Sequence, residues 1–338
     1  MPVTRRPRTV LVMAPATFDQ LFGPEELVRL RALAEVSEPV CVAAFDELPP
    51  ATLAELEVLI TGWGCSEIPE RVLDAAPRLR LVLHAAGSAR GLLPAAGYRR
   101  GIEVATAAEA NAVPVAEYTL AAIIFAGKRA LPLAQQGRRT PAGWGSSFAA
   151  RTLSNRQRTI GIVGFSKIGR RVLGLLRALE TGPVLVADPI ADPDVVRSAG
   201  GELVPLPDVL TQAEICSLHA PLLPSTEGMI GAAELALLPD GATLINTARG
   251  GILDHHALLT ECAAGRLDAI LDVTDPEPLP AGHPLLDLPN VTITPHVAGS
   301  LGSETRRLSA FALDALAAHL ESRPLPGALT AASIGVSA

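Results

Sequence analysis

The chain has 338 residues, of which 49% are hydrophobic and 19% charged, and a net charge of −7. At roughly 150 residues per domain, that length predicts about two domains. The composition can fill large cores and excludes disorder, collagen-like repeats and disulfide mini-scaffolds. No long basic run offsets the acidic balance, so nucleic acid is excluded as the main partner. Four cysteines (Cys41, Cys65, Cys216, Cys262) lack CxxC or zinc-type spacing and read as free thiols; no metal is expected. No apolar run approaches the roughly 20 residues of a membrane span, so no membrane partner is expected.

In chain order, Arg5-Arg6-Pro7-Arg8 followed by TVLVMAPA has the outline of a signal peptide. Its apolar stretch is short and leads into a patterned domain, so it reads as a first strand and the protein is expected in the cytoplasm. TVLVMA (9–14), PVCVAAF (39–45), VLITG (58–62) and LRLVLHA (79–85) read as buried strands, and PEELVRLRALAEV (24–36) has helical spacing. Continuous apolar strands separated by helices imply a parallel sheet covered on both faces. A long helix is predicted from about Val113 to Leu131, with Pro114 near its start. The polar segment 137–158 reads as a loop or domain connection.

A second βα series starts at residue 159. Strands are predicted over 159–165, 183–188, 201–206, 214–220, 242–248, 268–273 and 291–296. Helices are predicted over 168–180 and 302–323. The segment GIVGFSKIGRRV follows an apolar strand and opens a helix, the setting of a dinucleotide-binding turn. Gly164 makes the tight turn and Gly169 allows close helix–strand packing. Ser166 replaces the middle glycine and fits if its φ stays negative. Asp188 ends the next strand, 19 residues after Gly169. Its carboxylate suits the adenosine ribose hydroxyls and repels a 2′-phosphate, which favours NAD over NADP.

INTARGGILD (245–254), LDVTDPEPLP (271–280) and ITPHVAGS (293–300) end three predicted strands. Loops at the carboxyl ends of parallel strands line the ligand crevice, so Arg249, Glu277 and His296 are expected near one another. His255 and His256 are adjacent, a spacing poor for one ion, and read as surface residues at a helix start.

With ANAVPVAEYTLAAIIF (110–125), HAPLLPSTEGMI (219–230) and LPNVTITPHVAGS (288–300), these motifs resemble the D-isomer-specific 2-hydroxyacid dehydrogenase family over nearly the whole chain. The resemblance implies two Rossmann-like or flavodoxin-like α/β domains with parallel sheets, and cofactor and substrate in the cleft between them. The NAD-binding domain, 112–300, would be inserted into a substrate domain made of 1–111 and 301–338. His296 then matches the general acid/base, Glu277 its carboxylate partner, and Arg249 the residue that grips the substrate carboxylate. Asp272 matches the partner of the nicotinamide carboxamide. Gly164, Ser166, Lys167, Ile168, Gly169, Asp188, Pro221, Thr226, Thr247, Ala248 and His296 fall at further cofactor positions. His219 lies beside the cofactor crevice, as a contact or as a structural residue.

In HAAGSARG (84–91), Gly87 and Ser88 match the backbone donors to the substrate, whereas Ser88, His84 and Arg90 depart from the family pattern. A small 2-oxo or 2-hydroxy acid is the implied substrate. A homodimer through the NAD-binding domain is the implied assembly, with 113–131 and 137–158 as the contact. A formate dehydrogenase-like enzyme and an NAD-sensing corepressor-type protein share the scaffold and stand as alternatives.

Overall fold

A computed structural model describes residues 5–139 and 153–329. Its strands are β1 (Arg8–Val12), β2 (Glu35–Val42), β3 (Val58–Thr61), β4 (Leu81–His84), β5 (Glu103–Thr106), β6 (Ile160–Val163), β7 (Val184–Ala187), β8 (Glu202–Leu203), β9 (Ile215–Leu218), β10 (Thr243–Asn246), β11 (Asp268–Leu271), β12 (Val291–Ile293) and β13 (Ala328–Leu329). The chain divides into two compact units, one of Met1–Ala112 with Ser300–Ala338 and one of Val113–Gly299.

The first unit carries a six-stranded sheet in the order β13-β5-β4-β3-β1-β2, parallel except for β13. Side chains alternate between two cores. Val10, Val12, Leu59, Val82 and Val104 face one, while Leu11, Ile60, Leu81, Leu83 and Ala105 face the other. That period of two, with both faces apolar, is what makes these short runs buried strands rather than surface ones. The closing helix, Thr305–Leu320, covers one face with Leu308, Ala312, Leu313, Ala315 and Leu316.

The second unit carries seven parallel strands in the order β12-β11-β10-β9-β6-β7-β8. Val163, Leu185, Leu218, Leu244 and Leu271 face one core, and Ile162, Val186, Ile215, Ile245 and Ile270 the other. The order reverses between β6 and β9. In open α/β sheets the ligand crevice lies outside the carboxyl ends of the strands at such a reversal. The Gly-rich turn follows β6, and His219 follows β9.

The long helix runs from Ala108 to Gly127, starting five residues before the expected Val113. The stretch AAEANA is rich in strong helix formers, and Ala110 and Ala112 are buried, so propensity and packing both extend the helix past Pro114. The helix is long and apolar enough, by length and composition, to cross a membrane, which the run-length reading overlooked. Its Ala116, Ala122, Ile123 and Ala126 pack into a protein core. At Arg129 (φ +47) the chain turns, and a second helix covers Ala130–Arg139. The start of the expected 137–158 loop is therefore helical, and residues 140–152 lie outside the described residues. Arg129 is held by Asp268 through two hydrogen bonds of 2.6 and 2.8 Å. All four cysteines are free, and burial raises their pKa values to between about 11 and about 12.

Candidate active site

The turn after β6 is shaped by close approach. Gly164 has φ +99, and a Cβ there would lie 2.5 Å from the backbone N of Ala220. A Cβ on Gly169 would lie 2.2 Å from the Gly164 carbonyl oxygen, so both positions demand glycine. Ser166 keeps φ at −68 and serves as N-cap of the helix Lys167–Leu176, its Oγ accepting from the Gly169 N–H at 3.3 Å. That use leaves the hydroxyl hydrogen to donate outward. The N–H groups of Lys167 and Ile168, in the first turn, have no intrahelical acceptor and suit a phosphate.

Asp188, just past β7, accepts from the N–H of Phe165 at 2.7 Å and of Ile190 at 2.9 Å. Each oxygen keeps a lone pair for a sugar hydroxyl, and the same carboxylate fixes the end of the turn. These residues form a cradle that a side chain would fill, and they fit a dinucleotide.

His219 is 2% exposed. Its Nε2 lies 2.9 Å from Ser217 Oγ, and its Nδ1 is buried with no partner among the described residues. Burial lowers its pKa to about 3, so it is neutral. Thr226 spends its hydroxyl inside its own loop, donating to the Pro221 carbonyl at 2.5 Å and accepting from the Leu223 N–H at 2.8 Å. It shapes the 221–226 turn.

The ends of β10, β11 and β12 lie side by side, with Asn246 opposite Leu271 and Leu271 opposite Ile293. Arg249, Asp272 and His296 follow these three strand ends, so register alone gathers them. Thr247 pairs with Thr119 at 2.9 Å, and the Ala248 N–H donates to Asn246 Oδ1 at 3.0 Å. The Asn246 side-chain amide in turn donates to the Arg249 carbonyl at 3.0 Å. Gly250 permits the turn, because a Cβ there would lie 2.0 Å from the Thr274 carbonyl oxygen. Arg249 is half-buried. Burial lowers its guanidinium pKa and the charge of Glu277 opposes that, so it stays charged at neutral pH.

Asp272 is 2% exposed and accepts three hydrogen bonds, all from the segment that carries His296. The donors are Thr294 Oγ1 at 2.6 Å, the Val297 N–H at 2.8 Å and the Ala298 N–H at 2.9 Å. Tyr118 extends the chain, its hydroxyl lying 2.7 Å from Thr294 Oγ1. One lone pair on Asp272 is left for a carboxamide. His296 itself has φ +54, an uncommon conformation for a side-chain-bearing residue, and its N–H donates to the carbonyls of Asp272 and Thr294. Its Nδ1 meets Glu277 Oε1 at 2.6 Å. Both side chains are about half exposed, which leaves Nε2 as the face for a reacting group.

In the first unit, the turn after β4 holds Gly87 and Ser88, whose N–H groups have no acceptor among the described residues. Ser88 Oγ accepts from the Arg90 N–H at 3.3 Å. His84 is 7% exposed, with Nδ1 2.8 Å from Thr61 Oγ1. Burial lowers its pKa to about 4, so this departure from the family pattern adds no charge near neutrality.

His255 does begin a helix, yet it is 8% exposed rather than on the surface, with Nδ1 3.0 Å from the Leu253 carbonyl. His256 is exposed. Among the described residues, no group of three or more His, Cys, Asp or Glu could hold a metal. The sequence reading missed Tyr118, Thr119, Thr294 and Thr61. The signal for the first two was available: they are adjacent hydroxyls in a mostly apolar helix.

Residues 121–298 match the family described as D-isomer specific 2-hydroxyacid dehydrogenase, NAD binding domain. The D-3-phosphoglycerate dehydrogenase of Mycobacterium tuberculosis strain H37Rv is 32% identical over 252 residues, which cover 74% of this chain and 46% of that protein. The chain thus spans about half the length of that curated relative. The glyoxylate reductase of Aeropyrum pernix is 30% identical over 265 residues, covering 75% of this chain and 77% of that protein. A solved phosphoglycerate oxidoreductase from Rhizobium etli shares the fold, with a TM-score of 0.82 at 23% identity over 96% of this chain and 98% of that one. The chain belongs to the D-isomer-specific 2-hydroxyacid dehydrogenase family, with two Rossmann-like domains. Its matched region is the family's NAD-binding domain, and NAD is the cofactor.

Proposed function

We propose that the protein is an NAD(H)-dependent oxidoreductase that interconverts a 2-oxo acid and a D-2-hydroxy acid, with reduction as the working direction. The observation that carries this reading is the 2.6 Å contact between His296 Nδ1 and Glu277 Oε1 beside the charged Arg249. Bound NADH supplies the hydride that reaches the carbonyl carbon. As the C=O π bond opens, negative charge grows on the oxygen, and His296 Nε2 gives that oxygen its proton. Glu277 accepts from Nδ1–H, which fixes the ring and its tautomer and leaves Nε2 for the substrate. The planar fork of Arg249 binds the substrate carboxylate and polarises the neighbouring carbonyl. The Asp272 bonds and the Tyr118–Thr294 pair hold the 294–298 segment, so the ring is placed before substrate arrives.

For the cofactor, Gly164 and Gly169 leave room for the pyrophosphate, Lys167 and Ile168 offer N–H groups, and Asp188 takes the ribose hydroxyls. A proton relay through His296 and Glu277 has no task in formate oxidation, which favours the 2-oxo acid reading over the formate one. The test is NADH oxidation with a set of 2-oxo acids, followed by chiral analysis of the product. The reading predicts turnover to the D-hydroxy acid. It fails if no 2-oxo acid is reduced, or if the product is the L form.

A further inference from the structure

The dehydrogenase reading gives Arg249 and His296 separate tasks on one substrate, so their spacing must be fixed; this inference rests on that reading. Both stand in loops, and a loop alone is more mobile than the elements it joins. The ends of β10 and β12 flank that of β11. A rigid element that reached both outer ends would hold the two loops in step, and the helix Ala108–Gly127 does so. Its Ala116, Ala122, Ile123 and Ala126 pack in one core with Ile245 of β10 and Ile270 of β11. From that base it presents two adjacent hydroxyls, Tyr118 and Thr119. Neighbouring residues point about 100° apart around a helix, so the pair serves two different strand ends. All these residues lie in the second unit, Val113–Gly299.

Each hydroxyl meets a threonine two residues before a reacting one. The Tyr118 hydroxyl lies 2.7 Å from Thr294 Oγ1, and Thr294 leads to His296. Thr119 Oγ1 lies 2.9 Å from Thr247 Oγ1, and Thr247 leads to Arg249. A hydroxyl has one hydrogen to give, which settles the direction of both bonds. Thr294 gives its hydrogen to Asp272 Oδ1 at 2.6 Å, so Tyr118 is the donor in the first pair. Burial raises the Tyr118 pKa, so the phenol keeps that hydrogen at neutral pH. Thr119 gives its hydrogen to the Val115 carbonyl at 2.8 Å, so it accepts from Thr247 in the second pair. Thr119 and Thr247 are both buried, so water does not replace a lost partner there.

We propose that Tyr118 and Thr119 are positioning residues with divided tasks: Tyr118 holds His296 for proton transfer, Thr119 holds Arg249 for substrate binding, and the helix that carries both sets the spacing of the two loops. Each loop keeps other ties when its pin is lost. The Val297 and Ala298 N–H groups still bond Asp272, and Asn246 still bonds the Ala248 N–H and the Arg249 carbonyl. A misplacement of about 1 Å costs about a hundredfold in rate, so loss of one pin among several is expected to cost about tenfold.

The test is single-turnover NADH oxidation by the full chain, with whichever of glyoxylate, hydroxypyruvate, pyruvate, 4-methyl-2-oxopentanoate and phenylpyruvate it reduces fastest. Tyr118→Phe should lower the rate at saturating acid by about tenfold and leave the half-saturating acid concentration within about twofold. Its solvent deuterium isotope effect should rise as proton transfer slows. Thr119→Val should do the reverse, raising the half-saturating concentration by about tenfold with the rate and isotope effect near the original. Thr119→Ser keeps the hydroxyl and should restore acid affinity. Melting temperatures control for folding, and Thr119→Ala takes the place of the valine variant if that one does not fold. A general loss of stability would move both quantities together. Equal changes, exchanged changes, no change, or failure of Thr119→Ser to restore affinity overturns the proposal, while turnover by the parent chain keeps the dehydrogenase reading. A parent chain that reduces none of the five acids overturns both.

Discussion

Two parallel strands of this protein, β4 and β12, each bring a histidine to their carboxyl end, and the two rings live in opposite settings. His296 is half exposed, meets a carboxylate at 2.6 Å and sits at φ +54 on a segment tied down by buried Asp272. His84 is buried, meets a threonine hydroxyl at 2.8 Å and is held neutral by desolvation. In the proposed reaction the first ring transfers the proton, whereas the second supports the turn that follows its strand. Environment, not identity, assigns the role. The polar bonding around His296 fixes the 294–298 segment, whereas the turn beyond His84 leaves the Gly87 and Ser88 N–H groups without an acceptor among the described residues.

The contrast can be broken at several points. Gly169→Ala strikes deepest, since its Cβ would lie 2.2 Å from a backbone oxygen of the Gly-rich turn. Overpacking costs about 1–3 kcal/mol. Here it falls on backbone, so NADH affinity measured by fluorescence titration should drop by about a hundredfold. An unchanged Kd would mean that the turn does not hold the cofactor.

Arg249→Lys keeps the charge and loses the fork. The KM for the oxo acid should rise by roughly tenfold to a hundredfold, with NADH affinity within about twofold of the original. A rise in the NADH Kd alone would move Arg249 from the substrate to the cofactor.

The buried histidines predict a stability effect. His84 and His219 titrate at about 4 and about 3 in the folded protein. In the unfolded chain both titrate near about 6.5. Below about 6.5 the unfolded chain therefore binds more protons, and stability falls as pH drops. The slope is up to about 1.4 kcal/mol per pH unit for each ring, down to the folded values, with no contribution above about pH 6.5. Urea midpoints between pH 4.5 and 8 check this, and a flat line across that range would show that the rings are not held neutral.

Ser166→Gly is the mildest change. Glycine is nearly as good an N-cap as serine, so NADH affinity should stay within about threefold. A large loss would assign the hydroxyl a direct phosphate contact.

Much of this was legible because the signals were local and redundant. Most buried strands show as apolar runs, and Arg249, Glu277 and His296 are expected together because three strands end in step; β5 (Glu103–Thr106) escapes that signal because its run is only three buried residues behind an exposed glutamate. Less visible was anything that depends on a partner far along the chain. Thr61 and His84 are 23 residues apart, and Tyr118 and Thr294 are 176 apart. No pattern in either segment marks the other. The helix start at Ala108 was misplaced because Pro114 suggested a first turn, while packing of Ala110 and Ala112 carried the helix further back. His255 reads as a surface residue in the sequence because a histidine beside another at a helix start is ordinarily solvated, yet folding buries the ring against the Leu253 carbonyl.

The central claim is that His296 supplies the proton while other residues hold the cofactor. Single-turnover NADH oxidation by His296→Ala, at matched NADH occupancy and saturating oxo acid, tests it most directly. The account predicts a fall of about 10²- to 10⁴-fold in the rate with NADH binding intact. A near-original rate, or a loss of NADH binding that explains the whole fall, would contradict it.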